Sequence, residues 1–230
     1  MSLKDNYYRL KKDIGGVCEN AGRNSEEIKL IAVSKTFPAS DVSDLYELGQ
    51  KDFGENKVQE LDDKEKQLRG KNILWHLIGH LQTNKVKHII DYVSLIHSVD
   101  SLKLAEEIQR HASGAEKMID ILVQINTSGE ESKYGVEPDR AKDLCASIRK
   151  FENIRLSGLM TIGKFTDDEN EIRNNFRLLR TIYDELKPVN NDFKYLSMGM
   201  TSDYRIAIEE GSNMLRIGSA IFGERDYSNI

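Results

Sequence analysis

The sequence predicts a (β/α)8 barrel, a closed ring of eight parallel strands surrounded by helices. Short apolar runs typical of buried strands alternate with amphipathic helical runs, which indicates parallel strands joined by right-handed crossovers. The chain has 230 residues without a low-complexity stretch or linker, so we expect one domain over residues 1–230. A doubly wound open sheet is the alternative, but eight such units in one undivided chain favour closure.

The predicted elements follow one another in a regular order. A first helix, Leu3–Ala21, precedes the first strand. We expect strands at Lys29–Ser34, Asp52–Gly54, Ile73–Ile78, Val93–His97, Met118–Asn126, Ile154–Met160, Tyr195–Ser197 and Met214–Ile217. We expect the other helices at Ala39–Leu48, Val58–Arg69, Asn84–Ile90, Leu102–His111, Pro138–Lys150, Glu169–Leu186 and Tyr204–Glu210. Barrel active sites lie where strands end and helices begin, so polar residues at those points are the candidates for chemistry.

Composition narrows the possible function classes. With 39% hydrophobic and 31% charged residues, the chain is typical of a soluble globular protein. Its net charge of −5 argues against nucleic acid as the main partner, because there is no basic excess to neutralise phosphates. No apolar run is long enough to span a membrane, and residues 1–6 lack the core of a signal peptide. Cys18 and Cys145 have no metal-binding spacing, so we expect free thiols and a cytoplasmic protein.

The first strand is expected to end in a lysine. Of the six residues Ile28–Val33, five are apolar, and Lys35 follows shortly before Phe37 and Pro38. An ammonium group at the mouth of an apolar strand is costly to desolvate, which predicts a lowered pKa. A lysine that loses its proton easily suits a Schiff base with an aldehyde cofactor. The alternative is a lysine that simply extends into solvent from the strand end.

The second and third strands are also followed by polar residues. Glu55 and Asn56 follow the second strand, where either could cap the next helix or contact a ligand. The charged run Glu60–Lys71 is expected to be the solvated face of that helix. His76 and His80 are four residues apart, but a strand and turn do not place both on one face. No acidic third ligand accompanies them, so we predict no metal site and expect His76 to pack beside the barrel wall or a cofactor.

The fifth strand leads into a long polar loop over residues 124–136. Its two glycines and polar residues are typical of a loop over an active site. Lys133 and Tyr134 in this loop could be catalytic, or they could be ordinary surface residues.

The last two strands indicate an anion site. Residues 196–203 and 213–223 each place small residues and backbone N–H groups just before a helix, where the helix dipole favours negative charge. In barrels, the loops after strands seven and eight are the usual phosphate site. Simple helix capping is the alternative role of the same side chains. The predicted phosphate shell is Ser197, Thr201, Ser202, Gly218 and Ser219.

Arg216 is a cation inside the last predicted strand, two residues before Gly218. A buried charge must be paired, so Arg216 is expected to contact a carboxylate such as Glu55 or the ring nitrogen of a cofactor. A nitrogen that accepts a hydrogen bond from guanidinium stays unprotonated, which weakens the cofactor as an electron sink.

Together these segments closely resemble those of the pyridoxal-phosphate-binding proteins, also called the pyridoxal phosphate homeostasis family. The matching motifs are AVSK at 32–35, FGEN at 53–56, WHLIGHLQTNK at 75–85, SMGM at 197–200 and RIG at 216–218. The resemblance implies a fold similar to the amino-terminal barrel of alanine racemase, with pyridoxal 5′-phosphate (PLP) held as an internal aldimine on Lys35. It further implies that Asn56 lies near the ring and that the loops after strands seven and eight hold the phosphate. The expected cofactor-binding residues are Lys35, Asn56, His76, Ser197, Met200, Thr201, Arg216, Gly218 and Ser219.

Two segments depart from the family pattern. Thr201-Ser202-Asp203 stands where Ser-Asp-Asp is expected, but Thr201 keeps a hydroxyl and a backbone donor. Thr161-Ile162-Gly163 stands where Ala-Ile-Pro is expected, which alters one wall of the site.

The resemblance implies a protein that buffers or delivers PLP without robust turnover. An amino-acid racemase is the alternative, and a barrel that uses Lys35 on a sugar phosphate is a third. Racemisation needs two bases on opposite faces of the substrate carbon. In racemases with this barrel, one base is a tyrosine from a carboxy-terminal domain of the partner subunit. This chain ends at Ile230, soon after its eighth strand, and has Ala39 where the racemase motif has a tyrosine, so we expect a carrier.

A sugar-phosphate aldolase more typically has its lysine on a later strand, so the third alternative is the weakest. The expected partners are PLP itself and, as candidate recipients, apo forms of PLP-dependent enzymes. Neither nucleic acid nor a membrane is expected as a partner, and we expect a monomer.

Overall fold

The computed structural model describes residues 2–223. Within them, eight parallel strands form a closed barrel in which each strand pairs with the next and β8 pairs with β1. The strands are β1 Lys29–Val33, β2 Asp52–Glu55, β3 Leu74–Leu77, β4 Val93–Val99, β5 Ile119–Gln124, β6 Ile154–Met160, β7 Tyr195–Ser197 and β8 Met214–Ile217. The predicted barrel is confirmed, and the open sheet is wrong.

Helices alternate with the strands along the chain. They are α1 Leu3–Asn20, α2 Ala39–Glu47, α3 Val58–Gln67, α4 Leu102–Gly114, α5 Ala141–Ile148, α6 Glu169–Leu186, α7 Tyr204–Glu209 and α8 Ser219–Phe222. The extra amino-terminal helix, α1, packs against α7 and α8. Among these described helices, none combines the length and the apolar character needed to cross a bilayer.

One predicted helix is wrong. In place of a helix over Asn84–Ile90, the structure has a 3₁₀ turn over Thr83–His88. The buried Val86, Ile89 and Ile90 have helical spacing, which explains the prediction. The Ile89 N–H nevertheless donates to the carbonyl of Val86, three residues back, as in a 3₁₀ helix. The four-residue helix α8, by contrast, was not among the predicted elements.

Side-chain caps fix several helix starts. The Ser2 hydroxyl accepts a hydrogen bond from the Asp5 N–H, and the Asp5 carboxylate accepts one in return from the Ser2 N–H. This reciprocal capping box satisfies two backbone donors that the first turn would otherwise leave unpaired. The Ser101 and Asp168 side chains likewise accept hydrogen bonds from first-turn N–H groups of α4 and α6.

The apolar core has two parts. The larger part lies mainly between the strands and the surrounding helices. A smaller cluster comprises Ile31, Leu95, Leu122, Met160 and Met214. These residues come from β1, β4, β5, β6 and β8, so they pack across the barrel rather than against one helix. Four buried polar residues of the strands, His76, His97, Ser197 and Arg216, are linked to one another across the same barrel.

Candidate cofactor-binding site

A cavity of about 630 Å³ lies at the carboxyl ends of the strands. Seven of the nine predicted cofactor-binding residues line it, namely Lys35, Asn56, Met200, Thr201, Arg216, Gly218 and Ser219. They come from the segments at the ends of β1, β2, β7 and β8, so the barrel brings together positions far apart in the sequence. The other two predicted residues, His76 and Ser197, lie elsewhere and are described below.

Lys35 lies in a tight turn two residues beyond the end of β1, rather than at the strand end itself. The Phe37 N–H donates to the Ser34 carbonyl at 3.0 Å, which closes the turn around Lys35 and Thr36. Thr36 has φ 70°, in the left-handed region that β-branched residues rarely adopt. This turn brings Lys35 to the cavity wall, and the lowering of its pKa stays a prediction.

Asn56 is positioned by a close backbone contact between two strand ends. A Cβ built on Gly79 would lie 2.2 Å from the Asn56 carbonyl oxygen, far inside van der Waals contact. Only glycine therefore fits at position 79 without moving the segment that follows β2. Both residues line the cavity, so this contact shapes its wall.

The loops after β7 and β8 also meet at the cavity lining. The Met200 N–H donates to the Asp203 carboxylate at 2.5 Å, and the Ala220 N–H donates to the Thr201 hydroxyl at 3.4 Å. Within residues 2–223, the backbone N–H groups of Thr201 and Ser202 donate to no other atom. The two loops thus present unpaired backbone donors and hydroxyls at the cavity, and their binding of a phosphate stays a prediction.

Arg216 connects the cavity to the barrel interior. Its guanidinium donates from Nη1 to the Ser197 hydroxyl at 2.6 Å and from Nη2 to the Thr161 carbonyl at 2.7 Å. Burial lowers the pKa of Arg216 to about 10, so it is charged at neutral pH. The predicted pairing with Glu55 is wrong, because Glu55 contacts Lys64 of the helix layer, at 2.5 Å, instead of facing the interior.

Ser197 and His76 lie behind Arg216 and do not line the cavity. The His97 ring contacts Ser197 through Nδ1 at 3.3 Å and His76 through Nε2 at 2.9 Å. His76 Nε2 then contacts the Asp52 carboxylate at 3.0 Å. We call Arg216, Ser197, His97, His76 and Asp52 the interior network. Ser197 and His76 therefore affect the cavity only indirectly. Ser197 accepts a hydrogen bond from Arg216, and His76 is linked to Ser197 through His97.

Charge and burial set the direction of every hydrogen bond in the interior network. Burial lowers the pKa of His76 and, more strongly, that of His97, so both rings are neutral at neutral pH. Although burial opposes it, hydrogen bonds from His76 and Lys29 lower the pKa of Asp52. An ionised Asp52 only accepts, which assigns the His76 proton to Nε2 and leaves Nδ1 to accept from His97. His97 Nδ1 then accepts from the Ser197 hydroxyl, so every donor is directed from Arg216 toward Asp52.

Lys64 shows that the charged helix α3 is not simply solvated, as the sequence had indicated. Its side chain is 8% exposed, and its ammonium donates to Glu55 at 2.5 Å and to the Ser34 carbonyl at 2.7 Å. Lys64 lies between the buried residues Leu61 and Leu68, at the three- and four-residue spacing of an apolar helix face. That spacing was the available signal, and the surrounding charges concealed it.

Other lining residues were not among the predicted cofactor-binding residues, although they lie at or after strand ends, where the barrel rule directs attention. They include His80 and Phe165, together with Gln124 and Ile162 from two segments that the sequence had placed near the site. Tyr134, from the predicted loop, also lines the cavity and stacks on His80 at 3.9 Å between ring centroids. His80 further approaches Asp100 at 3.6 Å. Within the part of the chain that the structure describes, no group of three or more His, Cys, Asp or Glu residues could hold a metal.

Comparison with known proteins places this geometry in a family. Residues 10–226 match the family model for the alanine racemase N-terminal domain. The chain is 42% identical, over 228 residues, to a pyridoxal phosphate homeostasis protein of Aquifex aeolicus, covering 99% of this chain and 100% of that protein. A homologue of the same name from Pongo abelii is 45% identical over 213 residues, 87% of this chain and 78% of that protein.

Two solved structures are similar over nearly the whole chain. An unknown protein from Bifidobacterium adolescentis has a TM-score of 0.91 and 35% identity, covering 96% of this chain and 94% of that one. PipY of Synechococcus elongatus, solved with PLP bound, has a TM-score of 0.84 and 30% identity, covering 96% and 100%. On these grounds the chain belongs to the pyridoxal phosphate homeostasis protein family, whose barrel is that of the alanine racemase N-terminal domain.

Proposed function

We propose that this protein binds PLP through a Schiff base on Lys35 and takes part in intracellular PLP homeostasis, buffering or delivering the cofactor without robust turnover. One observation carries the proposal: Lys35, Arg216 and the loops after β7 and β8 line a single cavity. The names of the relatives and the PLP bound to PipY support the choice of cofactor.

The lining residues fit the functional groups of PLP. The unpaired N–H groups of Thr201 and Ser202 suit the phosphate, and their hydroxyls and that of Ser219 add further donors. Arg216 is a donor only, so a pyridine nitrogen beside it would act as the acceptor and stay unprotonated. Lys35 supplies the amine that the aldehyde requires.

Attachment and release need no co-reactant other than water or an amine. The neutral Lys35 amine attacks the aldehyde carbon, a C=N bond forms, and the carbonyl oxygen leaves with the two amine protons as water. Because this condensation is reversible, water or another amine can release Lys35 again. That reversibility is what a buffer or delivery protein requires.

Arg216 also bears on turnover. PLP acts as an electron sink in amino-acid chemistry, and this capacity is strongest when its ring nitrogen is protonated. The interior network holds Arg216 as a charged donor, which disfavours that protonation. This charge pattern supports weak catalysis rather than a dedicated enzyme.

Reduction with borohydride tests the attachment. We expect an imine absorbance band on adding PLP, and peptide mapping after reduction should place the modification at Lys35. Lys35→Ala should lose both the band and the modification, whereas Lys66→Ala on the exposed face of α3 should keep them. An unchanged band in Lys35→Ala would contradict the assigned lysine.

Racemisation remains the second candidate, because Tyr134 lines the cavity and could supply a base other than Lys35. Incubation of the PLP-loaded protein with L-amino acids separates the two functions. With a carrier, the absorbance change should correspond to at most the amount of PLP bound to the protein, and product should not continue to accumulate. Sustained formation of D-amino acid that Tyr134→Phe abolishes would establish the racemase instead.

A further inference from the structure

We propose that helix α3 positions Lys35 by holding the main chain on both sides of it, with Glu60 and Lys64 as the positioning residues. We call this pair the Lys35 clamp. The inference deepens the proposed function, since it rests on Lys35 being the lysine that binds PLP.

The two contacts of the Lys35 clamp bracket the lysine. The Lys64 ammonium donates to the carbonyl oxygen of Ser34, the residue before Lys35, at 2.7 Å. The Glu60 carboxylate accepts from the N–H of Thr36, the residue after Lys35, at 2.9 Å. Glu60 and Lys64 are four residues apart on α3, so both side chains extend from the same face of the helix.

The turn that carries Lys35 needs such support. Thr36 has φ 70°, at the position of the turn where a positive φ normally calls for glycine. A β-branched residue in this conformation is strained, and strain of this kind persists only where surrounding contacts fix it. The charge-assisted hydrogen bond from Thr36 to Glu60 is such a contact.

Lys64 is itself fixed from a third direction. Glu55, at the end of β2, accepts from the Lys64 ammonium at 2.5 Å and from the Ser34 hydroxyl at 2.6 Å. Glu55 is fully buried, and so nearly is Lys64. The barrel, the helix and the turn are therefore joined at Ser34, next to the reactive residue.

The Lys35 clamp acts on peptide groups of residues 34 and 36, so it fixes where the side chain starts. A lysine that must both bind and release a cofactor benefits from this arrangement. If the clamp is lost, the turn samples other conformations. The apparent affinity for PLP then falls in proportion to the fraction of molecules that stay competent.

Four variants test the Lys35 clamp. Glu60→Ala removes the acceptor of the Thr36 N–H, and Lys64→Met removes the donor to the Ser34 carbonyl. Glu60→Gln keeps a side-chain oxygen that can accept from Thr36 and serves as the rescue. Glu65→Ala, on the same helix, loses a contact of 3.5 Å to Arg69 instead of one to the turn and is the matched control. Glu60 is nearer the surface than Lys64, so Glu60→Ala is expected to fold and tests the Lys35 clamp even if Lys64→Met does not fold.

Two readouts are compared in all variants. Amide hydrogen exchange over residues 34–37 is measured on the cofactor-free protein, and PLP affinity is measured by absorbance titration. For Glu60→Ala and Lys64→Met we expect faster exchange in this segment and affinity about tenfold weaker, with the modification still at Lys35. Glu60→Gln should recover most of the affinity, and Glu65→Ala should match the wild type.

Unchanged affinity in Glu60→Ala would overturn the proposal, whether or not exchange becomes faster, because the turn would then not limit binding. Equal losses in Glu60→Ala and Glu65→Ala would overturn it too, since any disturbance of α3 would suffice. If borohydride instead places PLP on another lysine in the wild type, the proposed function fails. The exchange comparison then still shows whether Glu60 and Lys64 hold the turn.

Discussion

The two cations of the cavity are held in opposite ways. Lys35 lies on a partly exposed turn whose main chain is held by charged side chains of α3, from outside the barrel. Arg216 is 4% exposed and is held through its own guanidinium by neutral residues inside the barrel. The difference matches their proposed roles, because a lysine that makes and breaks a bond must move, whereas an arginine that presents a donor must stay in place.

Both arrangements end at carboxylates on β2. Asp52, at the start of the strand, accepts from His76 in the interior network, and Glu55, at its end, accepts from Lys64. Side chains three residues apart on a strand point to opposite faces, so β2 supplies one carboxylate to the interior and one to the helix layer. A single strand of four residues therefore anchors both sides of the site.

Breaking the helix-side anchor should have the largest effect. Glu55→Gln leaves the Lys64 ammonium buried without its carboxylate, and we expect a loss of about 3–5 kcal/mol in the free energy of unfolding. The double variant Glu55→Gln/Lys64→Met removes both charges and should recover part of this loss. Urea denaturation measures the free energy of unfolding of the wild type, the single variant and the double variant.

Asp62→Asn provides the control for this prediction, because Asp62 forms an exposed pair with Lys66 on the same helix. Its loss should cost no more than about 0.5 kcal/mol. Comparable effects of Glu55→Gln and Asp62→Asn would show that the buried pair has no special role.

Breaking the interior network should have a smaller effect on stability. His97→Leu leaves the Ser197 hydroxyl and His76 Nδ1 without the partners they have now. Each buried polar group left unpaired costs about 1–3 kcal/mol, partly offset by the added apolar surface, so we expect a net loss of about 2 kcal/mol. Because Arg216 then loses its support, PLP affinity should fall as well. His88→Leu, at an exposed position, is the control and should change neither the stability nor the PLP affinity.

The two regions should also respond to pH with opposite signs. Burial lowers the pKa of His76 and His97 in the folded state, so the unfolded chain binds protons first as pH falls. Their contribution is fully present above the unfolded pKa of about 6.5 and is lost as pH falls below it. The steepest loss is about 1.4 kcal/mol per pH unit for each histidine. Burial raises the pKa of Glu55, so its contribution decreases instead as pH rises above about 4.5.

Urea midpoints at pH 7.5, 6.5 and 5.5 measure this response. Stability should change little between pH 7.5 and 6.5 and should decrease between pH 6.5 and 5.5, and His97→Leu should flatten that decrease. An equally steep decrease in His97→Leu would assign the effect to other groups.

The sequence predicted the parts of the site that follow from local pattern. The barrel was predicted from the alternation of strand-like and helical runs. Lys35 and the loops around Thr201 and Gly218 were predicted because each follows a strand and has a recognisable composition. The supporting contacts were not predictable in the same way. Lys64 is one charge among many on α3, and His97 is one of three polar residues in β4, with nothing in the local pattern that distinguishes it from the two serines. Their partners come from other strands, so only the closed barrel brings them together.

The smallest predicted effect is also the sharpest test of strain at Lys35. Thr36→Gly relieves a left-handed conformation that costs a residue with a Cβ about 1–2 kcal/mol. Glycine also destabilises the folded state by about 0.5–1 kcal/mol, because it gives the unfolded chain more conformational freedom. We therefore expect a net gain of about 0.5–1 kcal/mol in the free energy of unfolding.

Thr181→Gly, on the exposed face of α6, is the matched control, because there the same change removes helix propensity and should destabilise. The main-chain hydrogen bond to Glu60 survives in Thr36→Gly, so PLP affinity should change little if that bond holds the turn. A stabilised variant with much weaker PLP binding would instead show that the threonine side chain, and not the Lys35 clamp, determines the geometry. Destabilisation as large as in Thr181→Gly would show that position 36 carries no strain, and the need for outside support at Lys35 would disappear with it.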